Sequence, residues 1–120
     1  MEGYKGLQVY QRGYAAAKRV YRMTERYPEE EKYGITSQMR RASVSIALNV
    51  AEGYAKRESQ QEFKRFLQMA MGSANEMNVL LDFSKDFGYI DGQTYAQASR
   101  EYDEIGRMLH VLIQRIGPHN

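Results

Sequence analysis

The side chains suited to making and breaking bonds are few in this sequence, and their spacing assembles no reaction centre. There are two histidines and no cysteine. A helical di-metal carboxylate site needs Glu-x-x-His pairs facing inward from two helices. Here Arg107 stands three residues before His110, and Ile116 three before His119. Without cysteine there is no thiolate nucleophile, no thiolate metal site and no disulfide. No serine has a histidine near it to act as a base, and the glycines do not follow the spacing of a phosphate loop. His110 falls beside an apolar stripe, and His119 follows Gly117-Pro118 in what reads as a loose tail. The expectation is a protein that is not an enzyme, with no metal and no cofactor.

Unusual polar chemistry lies instead in two helical runs, Ser45-Ile46-Ala47-Leu48-Asn49-Val50-Ala51-Glu52-Gly53 and Glu62-Phe63-Lys64-Arg65-Phe66-Leu67-Gln68-Met69-Ala70-Met71-Gly72-Ser73. Both repeat apolar residues at helical spacing, yet both set polar residues and glycine where a helix normally packs carbon. Asn49 shares a face with Met39, Ala42, Ile46 and Gly53, with Glu52 at its boundary. Ser73 lies on the apolar face of the second run, beside Gly72 and Glu76. Ser45, Asn49, Glu52, Gly53, Gly72, Ser73 and Glu76 therefore form a candidate polar seam. It reads as a hydrogen-bonded device that fixes helix register, as a contact between subunits, or as a pocket for a small molecule.

The third chemical feature is cationic. Residues 1–65 carry thirteen Lys/Arg against eight Asp/Glu, a net +5, whereas residues 66–120 carry four against seven, a net −3. That asymmetry predicts one basic and one acidic surface. Lys18, Arg22 and Arg26 are spaced four apart and form a ridge, with Arg19 beside it and Arg40-Arg41 opening the next segment. An antiparallel hairpin would bring Arg22, Arg26, Arg40 and Arg41 into one patch, which Glu29-Glu30-Glu31 would partly neutralise. Lys18, Arg19, Arg22, Arg26, Arg40 and Arg41 are the candidate phosphate contacts. The competing reading is an ordinary solvated face. Tyr4, Tyr10, Tyr14, Tyr21, Tyr27 and Tyr33 are available for stacking on bases, but most lie on an apolar stripe and read as core or subunit interface.

Four stripes of three- and four-residue spacing must position these groups. The first is Leu7, Tyr10, Tyr14, Ala17, Tyr21 and Thr24, ending at Tyr27-Pro28. The second is Met39, Ala42, Ile46, Asn49 and Gly53, with Thr36-Ser37 as plausible caps. The third is Phe63, Phe66/Leu67, Ala70, Ser73/Ala74, Met77, Leu80/Leu81, Ser84 and Phe87. It opens on a Ser59 to Glu62 capping box and closes at Gly88. The fourth follows Asp91 and reads Tyr95, Ala98, Tyr102, Ile105, Leu109, Leu112 and Ile116. Helices are expected over about 5–27, 36–55, 59–87 and 92–116, with no strand, in one domain over 1–120. Short linkers make successive helices antiparallel. The predicted fold is all-α, a single up-down-up-down four-helix bundle. No segment reads as a signal peptide or membrane span, so a cytoplasmic protein is expected. Val9, Val20, Met69, Val79 and Val111 lie outside the stripes and offer carbon for contacts between copies.

Over nearly its whole length the sequence resembles the four-helix-bundle family named for proteins encoded in intervening sequences of 23S ribosomal RNA genes. The family is also labelled ribosomal protein S23-like, and includes the accessory variability proteins of diversity-generating retroelements. The pattern Ser-x-x-x-Asn-x-Ala-Glu-Gly matches Ser45, Asn49, Ala51, Glu52 and Gly53. The pattern Glu-Phe-x-Arg-Phe-Leu-x-x-Ala-x-Gly-Ser-x-x-Glu matches Glu62, Phe63, Arg65, Phe66, Leu67, Ala70, Gly72, Ser73 and Glu76. Two departures are Tyr10, where tryptophan is usual, and Ala47, where many members have proline; the latter should straighten the second helix. The resemblance implies no enzymatic activity and gives no reason to place the chain in a ribosome. It implies a homo-oligomer, expected to be a pentamer, that binds RNA or DNA and has a reverse transcriptase as candidate partner in mutagenic copying of template RNA. The rival reading is a protein-interaction scaffold with no nucleic-acid role.

Overall fold

Each helix is bounded by residues whose local chemistry stops or starts it. The computed structural model describes residues 3–117, so Pro118 and His119 lie outside the described residues. The elements are α1 (Gln8–Thr24), α2 (Ile35–Ala55), α3 (Gln60–Asp86) and α4 (Gly92–Ile116), with short 3₁₀ turns at Gly3–Gly6 and Glu29–Glu31. No strand occurs among the described residues. α1 is shorter than the expected 5–27 at both ends: Leu7 is extended, so the helix begins at Gln8, and it gives way to a turn after Thr24.

The C-terminus of α1 is closed from α2. Arg40 donates from Nε to Thr24 Oγ1 (2.9 Å) and from its terminal nitrogen to the Tyr21 carbonyl (3.2 Å). A guanidinium placed there satisfies a carbonyl in the last turn and complements the negative end of the helix dipole. α2 starts differently from expectation. Thr36 and Ser37 do not cap it: Gly34 is the N-cap residue, and the Ile35 N–H donates to Glu31 Oε1 (3.1 Å). A carboxylate one turn upstream does the work of a capping hydroxyl and leaves Thr36 free to be buried. Ser59 Oγ does accept from the Glu62 N–H (3.1 Å), but the expected reciprocal bond is absent. The Ser59 N–H goes to the Lys56 carbonyl, and the Glu62 carboxylate faces Arg65. α3 ends in a Schellman motif, with Gly88 at φ 80° and the Tyr89 N–H donating to the Ser84 carbonyl (2.9 Å). Asp91 caps α4 through the Thr94 N–H (2.8 Å).

α1 packs on α2 and α4, and α3 on α2 and α4, closing a ring of antiparallel neighbours about 44 Å long. The core is Val9, Ala16 and Val20 from α1, Met39, Ile46 and Val50 from α2, Leu67, Met77 and Leu81 from α3, and Tyr102, Ile105 and Leu109 from α4. α1 is therefore rotated from its expected stripe. Tyr14 is 51% exposed and Tyr21 42%, while Val9 and Val20, expected outside, are buried. Volume explains the rotation. α1 meets α2 so closely that a Cβ on Gly13 would lie 3.1 Å from Ile46 Cγ2, a gap no tyrosine can fill. Likewise Val50 takes the core position expected of Asn49, which is half-buried at its edge, and Phe87 is exposed against Phe83 and Tyr89. α2 runs without interruption through Ala47. No helix among the described residues is long and apolar enough to cross a membrane.

Candidate nucleic-acid interface

A crest of three exposed cations runs along α1 and into the turn after it: Lys18 and Arg22 on the helix, about 6 Å apart along its axis, and Arg26 four residues further on, past the helix end at Thr24. Among the described residues, none of these three forms an ion pair. The Lys18 ammonium lies 5.2 Å from the centre of the Tyr14 ring. Arg19 turns the other way, donating from Nε to Glu101 on α4 (3.1 Å), and Arg12 pairs with Glu104 one turn further on. Hydrogen bonding to Arg12 is the main reason that the Glu104 carboxyl sits below the usual carboxylate range. The acidic half of the sequence thus neutralises one flank of α1 and leaves the crest unpaired.

The remaining cations do not join that crest. Arg40 is held against the end of α1, with its guanidinium 4.7 Å above the Tyr21 ring. Arg41 points to the opposite side of α2, into a small cavity of about 180 Å³ shared with Gln38, Ser45 and Glu76. The expected cluster of Arg22, Arg26, Arg40 and Arg41 is therefore split by α2 itself, since residues 40 and 41 are about 100° apart around a helix. Nor do the glutamates before α2 shield the ridge as expected through Glu31. Its carboxylate accepts from the Ile35 N–H and from the Tyr89 hydroxyl (2.8 Å), and these two bonds, in that order, hold its pKa below the ordinary value.

Two clefts flank the crest. Between α1 and α4 lies one of about 470 Å³, lined by Arg19, Arg22 and Arg26 together with Gln97, Glu101 and Tyr102. Asp91 also borders it, but its carboxylate is committed to the start of α4. The Tyr102 hydroxyl is buried and has no hydrogen-bond partner among the described residues. Burial pushes its pKa well above the tyrosine range, the nearby Arg19 charge opposing, so it adds no negative charge. Between α1 and α2 lies a groove of about 510 Å³ with Tyr10, Tyr14, Tyr21 and Leu48 in its walls and Lys18 and Arg22 on its rim. This groove was not foreseen. The available signal was the second period in α1, Val9, Gly13, Ala16 and Val20, whose small members mark the side that approaches another helix.

The polar seam is only partly assembled. Ser45 and Ser73 join their hydroxyls across α2 and α3 (2.5 Å), and Asn49 donates to the Ser45 carbonyl (2.9 Å). Gly53 marks the tightest approach of the pair: a Cβ there would stand 3.0 Å from Phe66 Cβ and 3.3 Å from the Phe63 carbonyl oxygen. Glu52, Gly72 and Glu76 are exposed, Glu52 facing Lys56 at 3.8 Å. Among the described residues the seam links α2 to α3, and its Ser45 and Glu76 also line the small cavity at Arg41.

The family model for the 23S rRNA-intervening sequence protein matches residues 5–111. A crystal structure of a protein of unknown function from the S23 ribosomal protein family of Bacteroides thetaiotaomicron VPI-5482 superposes with a TM-score of 0.80. It is 23% identical, over 88% of this chain and 95% of that one, and at that identity the likeness speaks for the fold alone. No curated protein matches the chain significantly. The chain belongs to the 23S rRNA-intervening sequence protein family.

Proposed function

We propose that this member of the 23S rRNA-intervening sequence protein family is a non-catalytic, cytoplasmic, homo-oligomeric accessory protein that binds RNA or DNA through the crest of α1. The observation that carries the reading is the row Lys18, Arg22 and Arg26, exposed, evenly spaced and without ion pairs among the described residues, while neighbouring Arg12, Arg19 and Arg40 all have partners. Each phosphate neutralised there releases counterions, so affinity grows with the number of cations acting together. One chain presents only three, which favours an assembly that repeats the crest and gains by multivalency. Exposed carbon for such contacts is present at Met69, Val79 and Phe83 on α3 and Val111 on α4. A pentamer, and a reverse transcriptase partner copying template RNA, are the finer form of the proposal, supported by resemblance to the retroelement accessory proteins.

The test is a binding titration with RNA and with single-stranded DNA of several sequences. Arg22→Ala/Arg26→Ala should weaken binding to all of them alike, because phosphate contacts position without specifying. Arg41→Ala, on the other side of α2, should have little effect. Equal loss from Arg41→Ala would refute the crest, and tight retention of an acidic protein partner against competing RNA would favour the scaffold reading.

A further inference from the structure

We infer that the groove between α1 and α2 is a platform for unpaired bases, so that the nucleic acid held on the crest is single-stranded. This rests on the proposed function. The groove is lined by aromatic rings and cations, Tyr10, Tyr14 and Tyr21 with Lys18 and Arg22, and by no carboxylate; the Lys18 ammonium lies over one face of Tyr14 and the Arg40 guanidinium over one face of Tyr21. Tyr4, Tyr10 and Tyr14 already form a run of rings, Tyr4 edge-on to Tyr10 at 4.9 Å and Tyr10 stacked with Tyr14 at 5.9 Å. Tyr14 and Tyr21 are seven residues apart, about 10.5 Å along α1. At about 3.4 Å per nucleotide of a stacked strand, that spans roughly three bases.

Arg22 borders both this groove and the α1–α4 cleft. A phosphate on Arg22 therefore sits at the mouth of the tyrosine groove, within reach of its own base. Aromatic rings accept any base face, so such a platform tolerates sequence. A duplex keeps its base faces inside and would leave the groove empty. A second copy of the chain is a poorer occupant, because two-fold pairing of this face would set Lys18 and Arg22 against the same cations with no acid between them.

The experiment compares oligothymidylate, an abasic strand of equal length and charge, and duplex DNA, using parent protein and Tyr14→Leu/Tyr21→Leu. Leucine keeps the helix and much of the apolar surface while removing the ring. The parent should bind the oligothymidylate about tenfold or more tighter than the abasic strand. Its intrinsic fluorescence, which is tyrosine alone because the chain has no tryptophan, should be quenched only by the former. The double variant should bind both strands equally, at the parent's abasic affinity. Equal binding of the two strands by the parent overturns the inference, and needs no variant to read. So does preference for duplex. In either case a loss on Arg22→Ala/Arg26→Ala would leave the crest standing, whereas no binding to any strand would remove both. A change in assembly mass on Tyr14→Leu/Tyr21→Leu would also overturn it, by making the groove a contact between copies.

Discussion

Glu31 and Arg40 show how single charged residues that look like surface become parts of the frame. Each reaches from outside a helix to backbone groups which that helix cannot satisfy internally. The Glu31 pKa is lowered, so its contribution to stability is present above the ordinary glutamate range and is lost as pH falls through the lower folded value. Glu31→Gln should therefore lower the urea midpoint at pH 7. The gap between parent and variant should close as pH falls from the ordinary glutamate range through the parent's lower folded value, where its carboxylate is protonated as well. A gap that does not narrow at all as pH falls would mean that the charge is not what holds the start of α2. Neither residue's role was legible: Arg40 finds its partners on α1 through tertiary packing, and Glu31 caps α2 from the 3₁₀ turn before it rather than from the residues at the helix start.

At the scale of elements, what was legible were features settled within a turn or two of chain. Asp91, Ser59 and Gly88 all sit where local capping chemistry predicts. The face of α1 was harder to read, since Tyr10-Tyr14-Tyr21 and Val9-Gly13-Ala16-Val20 share the helical period, and the small residues Gly13 and Ala16 were the signal for the side that α2 approaches. Glycine separates the two kinds of helix surface in a way that can be measured. Gly53→Ala presses a methyl group on Phe66 Cβ and the Phe63 carbonyl, neither of which is the end of a flexible side chain. Such overpacking costs about 1–3 kcal/mol, against about 1 kcal/mol of helix propensity regained, so the net effect should be destabilising. Gly72→Ala meets nothing within 4 Å and should stabilise the fold by about 1 kcal/mol. Denaturant midpoints of opposite sign are the expected outcome. Equal shifts would contradict the α2–α3 packing.

For the whole molecule, the sign asymmetry of the sequence predicts one basic and one acidic surface, and the structure pairs part of the one with part of the other. Arg12–Glu104 and Arg19–Glu101 join α1 to α4, while Lys18, Arg22 and Arg26 form no ion pair among the described residues. The candidate cluster around Arg41 failed for a geometric reason: adjacent residues on a helix face different neighbours. The outer face of α3 has the opposite character, with Val79 53% and Phe83 49% exposed. Val79→Glu/Phe83→Glu should reduce the mass found by light scattering to that of one chain while leaving helicity unchanged. An unaltered mass would move the subunit contact elsewhere.

The central claim is that phosphates are held by the unpaired cations of α1, and the salt dependence of binding reads those cations most directly. Log affinity for a single strand should fall linearly with log salt, by roughly 0.7 per phosphate neutralised. For Arg22→Ala/Arg26→Ala the slope should flatten by roughly 1.4 for every crest engaged, together with the loss of affinity. A variant that binds RNA and single-stranded DNA as tightly as the parent, with an unchanged salt slope, would contradict the account.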